Sequence, residues 1–240
     1  MTPHWFVCPK PNPSAKTRLF IFPYAGGGPA AFSKWTTNNI ETHIAHYPGR
    51  GSRFNEPPLK RIDALVENFL REIPPALDKP FVFFGHSLGA LIAFGLARSL
   101  RRVGLPQPKR LFLSAHAAPH LPDPNSPLHA LHDDEFLQAV KNFNGIPAEI
   151  LNQPEALTLL IPILRADFEA AETYRFNDEP PLDIPIVALG GDDDPRVSRE
   201  ELEGWASHTS ASFKSRYFSG DHFFINLNRD SILEIIGAEL

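Results

Sequence analysis

The stretch Phe81-Val82-Phe83-Phe84-Gly85-His86-Ser87-Leu88-Gly89 joins a fully apolar run to a serine between two glycines. The run follows Pro80 and predicts a short buried strand. The residues from 88 to 103 have apolar side chains at helical spacing, and Gly104 and Pro106 stop the pattern, which predicts a helix. The serine therefore sits at a predicted strand-to-helix turn.

The pentapeptide at 85–89 matches G-x-S-x-G, the nucleophile elbow of the α/β-hydrolase fold. A serine on such a turn has a strained backbone, so its neighbours must be small, and Gly85 and Gly89 meet that need. The helix that follows would point its free N–H groups at a developing oxyanion. We predict that Ser87 is the nucleophile of an acyl hydrolase; the alternative is a glycine-rich turn with an incidental serine.

Other segments alternate between strand and helix patterns. Solid apolar runs predict strands at 18–22, 43–47, 110–114, 184–189 and 213–218, and apolar residues at helical spacing predict helices at 62–77, 133–143 and 155–175. Alternation of apolar strands with helices is typical of a mostly parallel sheet covered on both faces. We therefore expect an α/β-hydrolase fold. Residues 1–118 and 183–240 would form the core, and residues 119–182 an inserted helical lid.

Composition limits the possible partners. The chain has 240 residues, a net charge of −5 and one cysteine, Cys8. It carries no basic footprint for nucleic acid, no apolar run of membrane-spanning length and no secretory leader pattern, so the reducing cytoplasm is the expected setting. Oligomeric state stays open, with a monomer as the default for a hydrolase of this class. A local basic cluster is interpreted as a solvated helix end: Arg98, Arg101, Arg102, Lys109 and Arg110.

A serine nucleophile needs a base and an acid, which follow it in the order Asp, His in this fold. His222 comes just after the predicted strand at 213–218, where the base is expected. Three aspartates, 192–194, follow the strand at 184–189, and Asp194 fits the spacing G-x-x-D-x-x-V with Gly191 and Val197. We predict Asp194 as the acid, with Asp193 as the alternative. Asp221 adjoins the base in sequence and is interpreted as structural.

The remaining histidines have other interpretations. His86 would support the elbow through a hydrogen bond rather than act as base. Four more lie in or near the predicted lid: His116, His120, His129 and His132. Their clustering allows a metal site, but no cysteine or carboxylate completes a recognisable ligand set, so we expect polar lid residues and no metal.

Two backbone N–H groups are expected to hold the oxyanion. One belongs to the residue after the nucleophile, Leu88, and the other to a loop after an early strand. The loop Phe22-Pro23-Tyr24-Ala25-Gly26-Gly27-Gly28 fits, and we choose the N–H of Ala25. Pro23 is excluded because a proline has no N–H to donate.

The chain resembles the type II thioesterases, the stand-alone editing hydrolases of nonribosomal peptide and polyketide synthases. The matching segments span almost the whole chain: 22–28, 47–51, 85–89, 118–122, 133–136, 164–168 and 220–224. The stretch Ser114-Ala-His-Ala-Ala118 departs from the small and arginine-rich residues usual in this family, which concerns lid contacts or substrate preference.

The resemblance implies a substrate acyl group held as a thioester on the phosphopantetheine arm of a carrier protein, with no other cofactor. Apolar lid residues could contact the acyl chain or only pack the lid: Phe136, Leu137, Leu159, Leu160, Ile163, Leu164 and Phe168. Two other functions remain open at this point. A carboxylesterase or lipase for free esters would use the same three residues, and a non-catalytic binding protein could use the same scaffold.

Overall fold

A seven-stranded sheet lies at the centre of the computed structural model, which describes residues 5–37, 39–122, 126–141, 143, 145–146 and 152–240. The strands are β1 (Phe6–Val7), β2 (Thr17–Phe22), β3 (Ile40–Ala45), β4 (Phe81–His86), β5 (Leu111–Ser114), β6 (Ile186–Gly191) and β7 (Phe213–Phe218). Their spatial order is β1-β3-β2-β4-β5-β6-β7, and only the β1–β3 pair of this described sheet is antiparallel. The strand that precedes Ser87 is therefore a central one.

Helices cover both faces of the sheet. They are α1 (Ile62–Glu72), α2 (Leu88–Arg102), α3 (Asp133–Lys141), α4 (Pro154–Glu172), α5 (Arg199–Glu203) and α6 (Arg229–Ala238). One apolar core joins β4 to α1 and α2, and a second core on the opposite face joins the sheet to α6. The α/β-hydrolase fold predicted from the sequence is confirmed. No helix in the described ranges has the length and apolar character to cross a membrane.

The segment between β5 and β6 carries α3 and α4, which share a small apolar core of their own. That core contains Phe136, Val140, Ile146 and Leu164. Parts of the predicted lid, at 123–125, 142, 144 and 147–151, lie outside the described residues, and the limits 119–182 stay a prediction.

Several element ends differ from the sequence prediction. Helix α1 ends at Glu72 rather than at 77, because Pro74 and the following proline interrupt it and form a 3₁₀ turn. Helices α3 and α4 end at Lys141 and Glu172, two and three residues before the predicted ends. The patterns also missed β1, α5 and α6.

Strand β3 runs over Ile40–Ala45, whereas the prediction was 43–47. Polar residues concealed its first half, since Glu41 and Thr42 interrupt the apolar pattern. Both are buried with partners: Arg18 Nε lies 2.7 Å from Glu41 Oε2, and Thr42 Oγ1 donates to the carbonyl of Trp35 at 2.8 Å. A buried polar side chain that has a hydrogen-bond partner can occupy a strand, although an apolar sequence pattern does not predict a strand there.

Three residues of the basic cluster that the sequence suggested as a solvated helix end instead form an ion-pair network with one carboxylate. Arg98, Arg101 and Arg102 all lie within 3.3 Å of the carboxylate oxygens of Glu179. The Arg98 guanidinium is buried and also lies over the ring of Phe176. These arginines therefore link the end of α2 to the segment around Glu179, near the end of the predicted lid.

Candidate active site

Ser87 occupies the sharp turn between β4 and α2, with φ 54° and ψ −119°. This backbone conformation is rare for a residue with a side chain and persists only where the surroundings enforce it. The Ser87 N–H donates to the carbonyl of Ser114 at 2.8 Å, which ties the turn to β5. A Cβ at Gly85 would lie 2.1 Å from the carbonyl oxygen of Gly89, so the close approach within the elbow requires glycine there.

His222 links the serine to a carboxylate. Its Nε2 lies 3.0 Å from Ser87 Oγ, and its Nδ1 lies 2.9 Å from Asp194 Oδ2. The hydrogen-bond network assigns the Nδ1–H tautomer, in which the ring donates to Asp194 and accepts from the Ser87 hydroxyl. The histidine is 5% exposed, and the Asp194 carboxylate 1%. The arrangement can move a proton from the serine to the imidazole in a site shielded from water.

The two other aspartates of the 192–194 run point elsewhere. Asp192 pairs with Arg199 at 2.6 Å, and Asp193 is exposed. Asp194 also accepts the N–H of Arg196 through Oδ1 at 2.8 Å, which fixes its carboxylate beside the ring. Asp221 accepts the N–H of Phe223 at 2.8 Å and so shapes its own loop.

The two expected oxyanion donors border the same space. Leu88 begins α2, and Ala25 lies in the turn after β2, and both line the cavity that contains Ser87. The turn that contains Ala25 is also held by the segment after β3, because the Tyr47 hydroxyl donates to the carbonyl of Pro23 at 2.9 Å. Burial raises the pKa of Tyr47 well above its ordinary value, so this hydroxyl keeps its proton.

His86 lies beneath the elbow and is fully buried. The Ser114 hydroxyl lies 2.8 Å from its Nδ1, and its ring centroid lies 5.4 Å from that of His222. Burial, and then the positive charge that His222 can carry, lower the pKa of His86 well below its usual value. A neutral ring at this point supports the turn without competing for the proton of Ser87.

A cavity of about 610 Å³ opens from Ser87 beneath the lid. The core contributes small side chains near the serine, among them Ala115, Ala117 and Ala118. The wall is otherwise mixed, with apolar lid side chains, three histidines including His222, and arginines at 175 and 196. Its volume is in the range of binding sites for drug-sized ligands.

The lid residues divide between the cavity and the lid core. Of the apolar lid residues suggested by the sequence, Leu164 and Phe168 line the cavity, whereas Phe136 is fully buried in the lid core and Leu159 is 55% exposed. The sequence did not single out other side chains that line it: Val140, Phe143, Ile146 and Tyr174. Helical spacing identifies an apolar face but not which neighbour covers it.

The lid histidines make separate contacts. His120 Nδ1 lies 2.8 Å from His208 Nε2, and His129 Nδ1 lies 2.6 Å from Glu172 Oε2. His116 lines the cavity, and His132 is exposed.

Elsewhere in the described chain, Cys8, Glu41 and His43 bring ligand atoms within 4.8 Å of one another. The Arg18 guanidinium already binds the Glu41 carboxylate, with Nε 2.7 Å from Oε2. Its positive charge would repel a metal cation at this carboxylate. Burial alone would raise the pKa of Glu41, but its hydrogen bonds, first from Arg18 and then from His43, lower it to about 2. The group is therefore better described as an ion pair at the edge of β3.

Comparisons with known proteins agree on one family. The family model described as a thioesterase domain matches residues 17–240. The gramicidin S biosynthesis protein GrsT of Aneurinibacillus migulanus is 38% identical over 98% of this chain and 93% of its own length. Two solved structures superpose closely. The type II thioesterase BorB of the borrelidin cluster has a TM-score of 0.90 at 33% identity, covering 98% of this chain and 97% of BorB. The RedJ thioesterase of prodiginine biosynthesis in Streptomyces coelicolor has a TM-score of 0.89 at 35% identity, covering 95% and 91%.

Proposed function

Because the chain belongs to the thioesterase family, among its type II members, we propose that it hydrolyses acyl groups from the phosphopantetheine arm of carrier proteins in a nonribosomal peptide or polyketide synthase. One observation carries the proposal beyond family membership. Ser87, His222 and Asp194 form a hydrogen-bonded series, and Ser87 lies in a cavity whose lid side is lined by apolar residues. We assign these three residues the roles of nucleophile, base and acid.

Acylation begins when Ser87 Oγ attacks the thioester carbonyl carbon and its proton passes to His222 Nε2 across 3.0 Å. Asp194 stabilises the imidazolium through the Nδ1 hydrogen bond. The carbonyl oxygen becomes an oxyanion that accepts the N–H groups of Leu88 and Ala25. As the C–S bond breaks, the proton on Nε2 passes to the departing pantetheine sulfur, which leaves as a thiol.

Deacylation repeats these steps with water. His222 takes a proton from a water molecule, whose oxygen attacks the acyl carbon bound to Ser87. The second tetrahedral intermediate collapses, the proton returns to Ser87 Oγ, and the free carboxylic acid leaves. The chemistry needs no metal or cofactor on the protein, because a thiol with a pKa near 8.5 is a good leaving group.

The cavity supports an acyl substrate on a flexible arm. An opening that reaches Ser87 between core and lid suits a long, narrow pantetheine chain, and the apolar lid wall suits the acyl end. The partner would be a carrier domain that delivers the arm. A chain with one cysteine suits a reducing compartment, so we place the activity in the cytoplasm, with a monomer as the working form.

Mass spectrometry of an acylated carrier protein tests the proposal directly. The wild-type chain should convert the acyl-carrier protein to the free thiol form, and Ser87→Ala should lower the rate by about 10⁴-fold or more, because the residual catalysis of triad mutants is small. Ser212→Ala, an exposed serine before the start of β7 and so at the opposite end of that strand from His222, is the matched control and should leave the rate unchanged.

A parallel assay with p-nitrophenyl esters separates this function from that of a general esterase. Turnover of simple esters far above that of carrier-bound thioesters would overturn the proposed substrate. Undiminished hydrolysis by Ser87→Ala would overturn the covalent mechanism.

A further inference from the structure

An ion pair joins the lid helix to the loop that carries an expected oxyanion donor. Arg50, in the turn after β3, makes two parallel hydrogen bonds to Asp167 of α4, from Nη1 to Oδ2 at 2.7 Å and from Nη2 to Oδ1 at 2.8 Å. The side chains are only 8% and 2% exposed. A paired fork of this kind is short, directional and strong when it is removed from water.

Both partners also bind the backbone of the loop at 23–28. Asp167 Oδ2 accepts the N–H of Gly26 at 2.7 Å, and Arg50 Nη1 donates to the carbonyl of Gly27 at 3.0 Å. The Gly26 N–H belongs to the peptide unit that follows Ala25, so its direction limits the rotation of the Ala25 backbone. Arg50 and Asp167 therefore fix the loop directly beside the expected oxyanion donor.

The lid helix also meets the loop through an apolar contact. A Cβ built on Gly26 would lie 2.5 Å from Leu164 Cδ2, one turn before Asp167 on α4. Gly26 has a φ of +76°, a conformation that glycine adopts without strain. Glycine at position 26 therefore allows α4 to approach the loop closely, and the Asp167 carboxylate on α4 accepts the Gly26 N–H.

We propose that Arg50 and Asp167 are positioning residues that couple the seating of lid helix α4 to the geometry of the oxyanion hole. With α4 seated, the Gly26 and Gly27 peptides are held and the Ala25 N–H is aimed at the developing oxyanion. With the pair broken, the loop loses both anchors, and transition-state stabilisation falls while ground-state binding of the acyl chain is retained. Preorganisation of such donors is what makes an oxyanion hole effective.

The test compares two double variants that differ in one group. Breaking one partner alone leaves a buried charge and threatens folding, whereas replacing both partners removes that penalty. Arg50→Met/Asp167→Leu removes both charges and the acceptor for Gly26. Arg50→Met/Asp167→Asn also removes both charges but keeps an amide oxygen that can accept the Gly26 N–H.

We expect kcat to fall by about 10²-fold in the leucine variant, near the effect of losing one oxyanion donor, with KM changed by less than about threefold. The kcat of the asparagine double variant should be at least about tenfold higher than that of the leucine double variant. A trifluoromethyl ketone analogue, which forms a tetrahedral adduct with Ser87, should lose affinity in parallel with kcat/KM. An unreactive amide analogue of the substrate should bind all forms equally.

Arg165→Met is the matched control, because Arg165 lies on the same helix and pairs with Asp133 of α3 at 2.6 Å without contacting the loop. It should weaken the contact of α4 with α3, keep the Arg50–Asp167 pair and the loop at 23–28 in place, and leave kcat unchanged. Equal kcat for the two double variants, or wild-type kcat in the leucine variant, would overturn the inference. The inference rests on the proposed function, and the two fail differently: a wild-type chain with no thioester hydrolysis would refute the function, whereas an active wild type with unaffected variants refutes only the coupling.

Discussion

Gly89→Ala places a methyl group between the two backbones that supply the expected oxyanion donors. A Cβ on Gly89 would lie 1.9 Å from the carbonyl oxygen of Phe22 and 2.8 Å from that of Pro23. Phe22 ends β2, where the loop to Ala25 begins, and Gly89 lies in the first turn of α2. Because both obstacles are backbone atoms, no side chain can rotate away, and the helix must move from the loop by about 1 Å.

The magnitude follows from two opposed terms. Alanine in a helix is favoured over glycine by up to about 1 kcal/mol, whereas overpacking a tight core site costs about 1–3 kcal/mol. Because the Cβ would lie 1.9 Å from a backbone oxygen, the overpacking cost should be about 3 kcal/mol, so we expect a net destabilisation of about 2 kcal/mol and a fall in Tm of about 4–8 °C for a chain of this size. A 1 Å displacement of catalytic groups costs about 10²-fold in rate, so kcat on an acyl-pantetheine thioester should fall by that factor.

Gly237→Ala is the matched control, since it also replaces a helical glycine and its Cβ would meet no atom within 4 Å. It should raise Tm by about 1–3 °C through helix propensity and leave kcat unchanged. Thermal unfolding and steady-state rates at a temperature where both variants are folded provide the measurement. A folded Gly89→Ala with wild-type kcat would refute the view that this backbone contact sets the spacing of the oxyanion donors.

Two further predictions concern titratable groups. Asp194→Asn should lower kcat by about 10⁴-fold because the imidazole loses its tautomer and its counter-charge, whereas Asp193→Asn should change steady-state rates by less than about threefold; the reverse order would reassign the acid. Burial, and then His120, lower the pKa of His208 to about 4 from the ordinary 6.5. The unfolded chain therefore binds the extra proton first as the pH falls. The contribution of His208 to the free energy of unfolding should be complete above pH 6.5 and smaller by about 3 kcal/mol at pH 4. In urea titrations at both pH values, His208→Leu should remove most of that loss, and an equal loss in the variant would assign it to other groups.

The elbow and the central strands were predictable because their signals are local. An apolar run, two glycines and a helical pattern within one short stretch determine β4, the turn at Ser87 and α2. Strand β7 was predicted with its observed limits, Phe213–Phe218. In contrast, β1 pairs with a strand distant in sequence, and two residues carry too little pattern to identify it.

The position of Asp194 beside His222 shows where local reasoning reaches its limit. The spacing rule selected Asp194 from three adjacent aspartates, but the contact depends on how two loops, after β6 and β7, meet at the same edge of the sheet. The residues of the cavity wall are even harder to predict from the sequence. Val140 on α3 and Phe143 just after it line the cavity because α3 and α4 share an apolar core, a tertiary contact that no sequence period specifies.

The Arg50–Asp167 pair lies furthest beyond sequence reasoning, and the reason is physical. A buried arginine must have a partner, so the sequence could have predicted a partner for Arg50 only if its burial were known. The partner is 117 residues away and is one of 28 acidic residues. Only the folded chain brings α4 against the loop after β2, and there one carboxylate binds the arginine and the Gly26 N–H together. In the proposed coupling, the carboxylate that seats α4 is the same one that holds the oxyanion loop, so a displacement of the lid helix would also displace the loop that carries Ala25.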